Sequence, residues 1–383
     1  MTIEFEWVDS NQRLVDLCAQ WRQQQAIALD TEFIRSRTFF PEIGLLQVAD
    51  QQGNYLIDPL AISDKQALQA CLTDKRVTKV IHSCSEDLDV FQRYLSIVPS
   101  PLFDTQIAAA FAGHGASISY ANLVKQIQGQ EIPKQETRSD WLQRPLSQSQ
   151  LEYATLDVLH LLAIYRQLKA SLRSKQRLSW LEADCQRIVE IKAEQENLGE
   201  YYLKIKSAWK LNPQQLAVLQ HLCQWREQHV RKLNIPRGRL VKDGCLWEMA
   251  YRLPQNRSQL SRIKELHPRF IEKYGQPCLQ IIQDTAEQSM PLPALPAPLN
   301  VQEMSLFKTL KSLVVELAEN LSMPPELLAR KKDIEFLVRH AQAEGSITLP
   351  HSLQNWRRDI VGGPLLKQLM KIIDQDLRGD CSS

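Results

Sequence analysis

The chain has 383 residues, a length that favours about two or three domains over a single core. Hydrophobic residues make up 44% of the chain and charged residues 23%, which excludes a disordered protein. The formal net charge of +2 leaves nucleic-acid binding open, because local clusters of basic residues matter more than their sum.

The first residues and the cysteines indicate a cellular location. Residues 1–6 are acidic and lack the basic and apolar regions of a signal peptide. No apolar run approaches the roughly 20 residues that a membrane span needs. The eight cysteines are scattered without a C-x-x-C pair, which argues against a disulfide framework or a zinc site. We therefore expect a cytoplasmic protein with no membrane partner.

Residues 1–170 alternate short apolar runs with helical patterns. The predicted strands are Ala26–Asp30, Gly44–Ala49, Tyr55–Ile57 and Val77–Ile81. The predicted helices are Lys65–Leu72, Glu86–Leu95 and Gln148–Lys169. Three clustered strands followed by alternating helices and strands predict an α/β domain, with a mixed sheet and flanking helices.

The rest of the chain is predicted to be helical. Residues 171–207 are highly charged and form a connecting helical segment, and strand patterns vanish from about residue 208. Two small all-α helical-bundle domains are predicted at 208–289 and 300–383, separated by a Pro-rich linker at 290–299.

A repeat supports this division. The spacing Leu-x-x-Pro-x-x-x-Leu occurs at 233–240 and again at 321–328. Both copies predict a helix that ends, a proline that starts a short helix, and a further apolar helix.

Two carboxylates follow the first buried strand. Residues i and i+2 of a strand share a face, so Asp30 and Glu32 are expected to project side by side. Carboxylates held this close share either a proton or a divalent cation.

A second acidic position follows the strand that ends near His82. Asp87 is expected in the first turn of the next helix, with Ser83 or Ser85 as the N-cap. Acidic residues in a first turn ordinarily complement the helix dipole, and that remains the alternative role. Asp104, which follows another apolar run, is expected to cap a helix of its own.

A third acidic position lies in the predicted helix Gln148–Lys169. Tyr153 and Asp157 are four residues apart and are therefore neighbours on one helix face. A Tyr–Asp hydrogen bond at the edge of the core is the alternative to a functional role.

Together these positions indicate a metal site. Asp30, Glu32, Asp87 and Asp157 offer only hard oxygen ligands, which select Mg²⁺ or Mn²⁺ over zinc. Four carboxylates suit two such cations clamping a phosphodiester, with Tyr153 placed to hold the attacking water. No His, Lys or Ser is placed to use a proton-sharing pair, so cation sharing is the preferred hypothesis.

The motifs resemble a known family. D-T-E-F at 30–33, H-x4-D at 82–87 and Y-x3-D at 153–157 look like the three exonuclease motifs of the DEDD superfamily, in its tyrosine-bearing branch. The stretch at 134–146 and the two helical repeats resemble those of the bacterial ribonuclease D family, which carries paired HRDC domains. The resemblance covers nearly the whole chain.

The resemblance implies a ribonuclease H-like sheet and 3′→5′ hydrolysis of RNA, which releases nucleoside 5′-monophosphates. It also implies trimming of tRNA precursors by an enzyme with two Mg²⁺ or Mn²⁺ ions per active site. Separately from the resemblance, we expect a monomer. The implied metal ligands are Asp30, Glu32, Asp87 and Asp157, with Tyr153 as the water-orienting residue. The expected substrate-binding residues are Phe33, Arg35, Arg37, His82, Lys134 and Trp141.

Other interpretations stay open at this point. A DNA 3′→5′ exonuclease is the close alternative, because no residue can be tied to a 2′-hydroxyl. A non-catalytic RNA-binding scaffold is the alternative from another class, built on the basic clusters of the helical domains. For residues 33–37, an ordinary surface loop competes with contact to the terminal nucleotides.

Overall fold

The computed structural model describes residues 3–133, 139–288, 291–341 and 347–380. The strands are β1 Glu6–Val8, β2 Ala26–Ile34, β3 Glu42–Ala49, β4 Asn54–Ile57, β5 Thr78–Ile81 and β6 Leu102–Asp104. The helices before residue 194 are α1 Asn11–Trp21, α2 Gln66–Leu72, α3 Ser85–Leu95, α4 Thr105–Ala112, α5 Tyr120–Gln128, α6 Gln148–Leu159, α7 Leu161–Ser174 and α8 Leu178–Ala193. The later helices are α9 Pro213–Leu233, α10 Arg237–Leu240, α11 Asp243–Arg252, α12 Arg257–Leu260, α13 Pro268–Gln288, α14 Val301–Asn320, α15 Pro325–Leu328, α16 Lys331–His340 and α17 Gly363–Asp380. Short 3₁₀ turns lie at Leu198–Lys204, Ala208–Lys210 and His351–Leu353, and a π-helical turn lies at Arg358–Gly362.

The strands of the described part form one six-stranded sheet in the order β1-β4-β3-β2-β5-β6. β3 runs antiparallel to β4, whereas β1–β4, β2–β5 and β5–β6 are parallel pairs. The predicted mixed α/β sheet is therefore confirmed. Sequence patterns missed β1 and β6, because three residues are too few to show the alternation of a strand.

The helix that carries the third acidic position begins at a capping box. The Ser147 side chain accepts a hydrogen bond from the backbone N–H of Gln150, whose side chain accepts one from the N–H of Ser147. The single helix predicted at 148–169 is in fact two, because α6 ends at Leu159 and α7 begins at Leu161.

The chain divides into two compact units. The first comprises Met1–Glu32, Ile43–Ala193 and Leu299–Ser383, and the second comprises Phe33–Glu42 and Glu194–Pro298. None of the helices in the described ranges combines the length and apolarity that a membrane span requires.

The repeated proline spacing forms the same local structure twice. Pro236 is the N-cap of α10 and Pro324 is the N-cap of α15, each between a long helix and a further apolar helix. The repeat read from the sequence is thus a repeat of secondary structure.

In the first unit, the C-terminal helices are joined to α8. The rings of Trp180 and Trp356 stack with their centroids 4.5 Å apart and their planes 6° from parallel. Arg357 donates to both carboxylate oxygens of Asp184, at 2.7 and 2.6 Å. Stacking and a bidentate ion pair fix both the position and the orientation of this contact.

Candidate active site

The site is built on β2, a central strand of the sheet. Ala26–Leu29 is buried and gives the strand a rigid apolar beginning. Within the described residues, one group of acidic side chains lies close enough to hold a metal ion. It consists of Asp30, Glu32 and Asp157, whose ligand oxygens all lie within 4.8 Å of one another. β2 and α6 thus bring together carboxylates that are more than 120 residues apart in the chain.

Asp87 lies beside this group without being part of it. It is 7% exposed in the first turn of α3 and accepts a hydrogen bond of 2.5 Å from the Thr31 hydroxyl on β2. Its charge is the second largest cause, after burial, of the raised pKa of Asp30. The four carboxylates predicted together are therefore three clustered groups and one neighbour.

The backbone turn before α3 differs from the prediction. The N-cap of α3 is Cys84, which makes no side-chain capping bond, so neither Ser83 nor Ser85 caps the helix. Instead the Asp104 carboxylate accepts from the backbone N–H groups of Ser83 at 3.2 Å and Cys84 at 2.9 Å. Asp104 also caps α4, as expected, by accepting from Gln106 and Ile107. One buried carboxylate therefore holds the turn that leads to Asp87, a role that no local pattern predicted.

Tyr153 is positioned by Asp157 and by Trp141. The Tyr153 hydroxyl interacts with the Asp157 carboxylate, and burial raises the pKa of Tyr153 above its usual range. The Trp141 ring lies 6.2 Å from that of Tyr153 and is only 3% exposed. Gly44 permits this packing, because a Cβ there would lie 2.4 Å from the Trp141 carbonyl oxygen. The burial of Trp141 favours support of Tyr153 over direct contact with substrate.

His82 has both ring nitrogens engaged. Nε2 donates to the carbonyl oxygen of Ile118 at 3.1 Å, and Nδ1 lies 2.9 Å from the Thr105 hydroxyl. Burial lowers the pKa of His82, which favours a neutral imidazole. The ring also contacts Tyr120, whose hydroxyl donates to the carbonyl oxygen of Leu156 beside Asp157. These contacts favour a supporting role for His82.

Three of the remaining expected substrate-binding residues belong to the second compact unit. Phe33, Arg35 and Arg37 belong to the Phe33–Glu42 segment, and both arginines are exposed. Arg35 Nε donates to the carbonyl oxygen of Phe39 at 3.1 Å. Lys134 lies outside the described residues.

The acidic group is electrostatically destabilised in the absence of a cation. Burial and the neighbouring charge of Asp157 raise the pKa of Glu32 to about 9, and burial with three neighbouring carboxylates raises that of Asp30 well above its usual value. Burial likewise raises the pKa of Asp87 and of Asp157 to about 7. Buried carboxylates that repel one another, with only oxygen donors among them, are suited to a hard divalent cation.

The comparisons with known proteins agree with this chemistry. A family model described as a 3′-5′ exonuclease matches residues 5–173, the segment that contains all five proposed catalytic side chains. An HRDC domain model matches residues 215–282, and a model of the C-terminal HRDC domain of ribonuclease D matches residues 304–365. The site is therefore that of a 3′→5′ exonuclease.

Full-length relatives narrow the class to one family. The chain is 43% identical to the ribonuclease D of Pseudomonas paraeruginosa, over 96% of this chain and 98% of that protein. It is 35% identical to the ribonuclease D of Escherichia coli, over 95% of this chain and 98% of that protein. The crystal structure of Escherichia coli RNase D, an exoribonuclease involved in structured RNA processing, matches with a TM-score of 0.86 and 34% identity, over 96% of this chain and 99% of that one. The chain belongs to the ribonuclease D family and is a hydrolytic 3′→5′ exoribonuclease. The family, fold class and enzyme class expected from the motifs are confirmed.

Proposed function

We propose that this enzyme trims RNA 3′ ends, including the 3′ trailers of tRNA precursors, with two divalent cations held by Asp30, Glu32, Asp87 and Asp157. The observation that carries the proposal is the group of three carboxylates whose oxygens lie within 4.8 Å of one another. When bound, Mg²⁺ or Mn²⁺ ions activate the attacking water and neutralise the leaving 3′ oxygen.

The protein's own contribution is rigid placement. β2 holds Asp30 and Glu32 on one face, while Thr31 orients Asp87 by its hydrogen bond. The Tyr153 hydroxyl, which interacts with Asp157, is suited to orient the water for in-line attack. Release of nucleoside 5′-monophosphates follows from attack of water on the terminal phosphodiester.

Substrate contacts are proposed mainly for the segment after Glu32. Phe33 offers an aromatic ring for stacking, and Arg35 and Arg37 offer guanidinium groups for phosphates. His82 is proposed to act through Tyr120, which donates to the Leu156 carbonyl beside Asp157, and Trp141 is proposed to act through Tyr153.

We propose a division of the chain into 1–170, 171–207, 208–289, 290–299 and 300–383. The matched segments at 5–173, 215–282 and 304–365 support this division. The seven described cysteines are free and buried, which suits a reducing cytoplasm.

A monomer is proposed, and sedimentation velocity of the full chain tests it.

The test of function compares the wild type with Asp30→Asn on a 3′-extended tRNA precursor in Mg²⁺. We expect progressive 3′ shortening with nucleoside 5′-monophosphates as products for the wild type, and no hydrolysis with retained RNA binding for the variant. Unchanged activity in the variant removes Asp30 from the mechanism. Matched RNA and DNA oligomers complete the test, since faster DNA hydrolysis contradicts the proposed substrate. Crystals grown with Mn²⁺ are expected to show two metal peaks about 3.5–4 Å apart.

A further inference from the structure

The Phe33–Glu42 segment is held by α9, a helix of the same compact unit. The side-chain oxygen of Asn234 accepts hydrogen bonds from the backbone N–H groups of Phe39 at 3.1 Å and Phe40 at 3.0 Å. Asn234 is the C-cap of α9, with a left-handed backbone at φ +50°. Asparagine is one of the few residues that adopts this backbone readily, so its side chain is presented at a defined place.

The Phe39 ring completes the contact. It is 8% exposed and lies near two guanidinium groups. The guanidinium carbon of Arg231 is 4.6 Å from the ring centroid, and that of Arg237 is 4.9 Å from it. Such placement adds a cation–π attraction to burial of the ring. Asn234, Arg231 and Arg237 together form what we call the Phe39 clamp.

Both arginines of the clamp form ion pairs with Glu227 of α9. Both oxygens of the fully buried Glu227 accept from Arg237, at 2.7 and 2.8 Å, and Glu227 also pairs with Arg231. Because these contacts lie entirely within residues 227–237, the helical segment presents a preformed receptor for one aromatic side chain.

Phe39 is also hydrogen-bonded to Arg35, the residue that follows β2 in the chain. Arg35 Nε donates to the carbonyl oxygen of Phe39, and the N–H of Phe40 donates to Asn234, so both polar groups of the peptide bond between Phe39 and Phe40 are hydrogen-bonded. Arg35 lies three residues after Glu32, and β2 runs without interruption from Asp30 to Ile34. Fixing Phe39 therefore limits the conformations open to Arg35.

We propose that Asn234 is a positioning residue for the exonuclease reaction, which acts through Phe39 to hold Arg35 in the orientation that binds the terminal nucleotides. This inference rests on the proposed function of the segment after Glu32. It gives the first HRDC segment a task that does not depend on its own binding of RNA. The KM for substrates of two or three nucleotides is therefore expected to depend on the clamp.

The test uses the full-length chain with Asn234→Gly, Asn234→Asp and a control, Glu265→Gly. Glycine tolerates the positive φ of Asn234 and removes only the acceptor, whereas aspartate retains an acceptor oxygen at the same place. Glu265 also has a positive φ, of 63°, and its exposed side chain pairs with Lys242. The control therefore also places a glycine at a position with positive φ, elsewhere in the second unit.

Two measurements are made on each variant: amide hydrogen exchange of the 33–42 segment, and steady-state hydrolysis of a triribonucleotide in Mg²⁺. For Asn234→Gly we expect exchange at Phe39 and Phe40 to rise about tenfold and KM to rise roughly fivefold to tenfold, with kcat nearly unchanged. Asn234→Asp restores both values, and Glu265→Gly resembles the wild type. A merely structural defect instead lowers kcat through loss of active protein and leaves KM unchanged.

The outcomes separate the inference from the proposed function. Unchanged exchange in Asn234→Gly shows that the clamp does not hold the segment, and faster exchange with unchanged KM shows that the clamp does not serve the reaction. Either result overturns the proposal. If Asn234→Gly does not fold, Phe39→Leu keeps an apolar side chain, removes the ring and carries the same expectations. Absence of hydrolysis by the wild type contradicts the proposed function instead, and the exchange measurement still reports on the clamp.

Discussion

Replacing Glu32 with glutamine tests the electrostatic state of the site directly. Burial and Asp157 raise the pKa of Glu32 from 4.5 to about 9, so the folded protein binds this proton more tightly than the unfolded chain. Stability must then fall as pH rises between those two values. At pH 7 the penalty on the metal-free protein is about 3 kcal/mol, and at pH 5 it is about 1 kcal/mol.

Glutamine has nearly the same shape and does not ionise, and its amide can donate to the neighbouring carboxylates. We therefore expect Glu32→Gln to be more stable than the wild type in EDTA, by about 3 kcal/mol at pH 7, or roughly 5 °C in Tm. The difference shrinks at pH 5. In saturating Mg²⁺ the difference in stability between the two proteins narrows or changes sign, because a bound cation stabilises the charged wild-type group more than the neutral variant.

Scanning calorimetry at pH 5 and pH 7, in EDTA and in Mg²⁺, measures these differences. Glu182→Gln, which changes an exposed carboxylate on α8, serves as the matched control and should show no comparable trend with pH. A Glu32→Gln protein that is no more stable than the wild type at pH 7, or equally more stable at both pH values, refutes the electrostatic argument.

Three further predictions concern neighbouring parts of the first unit. Tyr153→Phe should lower the single-turnover rate about 100-fold with little change in KM, because only the hydroxyl proposed to orient the water is lost; an unchanged rate removes that role. Gly44→Ala should destabilise the protein and lower kcat, since the new Cβ would overlap Trp141 behind Tyr153, whereas Gly244→Ala, in open space on α11, should fold normally. Arg357→Ala should lower the free energy of unfolding by about 2 kcal/mol in urea titrations, through loss of the part-buried pair with Asp184; an unchanged midpoint means that the pair contributes nothing to the attachment of the C-terminal helices.

The predictable part of the site is the part set by local geometry. A two-residue spacing on a strand was enough to place Asp30 beside Glu32, and a four-residue spacing on a helix was enough to place Tyr153 beside Asp157. The approach of the two pairs was expected only because their chemistry matched. Asp87 shows the limit, since its bond to Thr31 depends on how α3 packs near β2.

The remaining features depend on contacts between distant segments. Asn234 lies 195 residues from Phe39, and neither has a neighbour in the chain that predicts the bond. Both ring nitrogens of His82 are used by residues 23 and 36 positions away, which motif spacing alone does not reveal. Such contacts arise from tertiary packing, and a search for local periodicity has no signal for them.

These distant contacts change the meaning of the helical half of the chain. Domains read from a sequence are consecutive segments, whereas each compact unit here combines a helical segment with a segment from the first 193 residues. The C-terminal helices share a unit with the sheet and are joined to α8 by the Trp180–Trp356 stack. Phe33–Glu42 belongs to the same compact unit as Glu194–Pro298. Removal of residues 208–383 would therefore expose surfaces of both units and release Phe39, because the truncated chain retains the segments but loses their partners. We expect this truncation to lower activity on short single-stranded RNA as well as on structured RNA, and full activity of the truncated chain on a triribonucleotide would show that the helical half acts only by binding RNA.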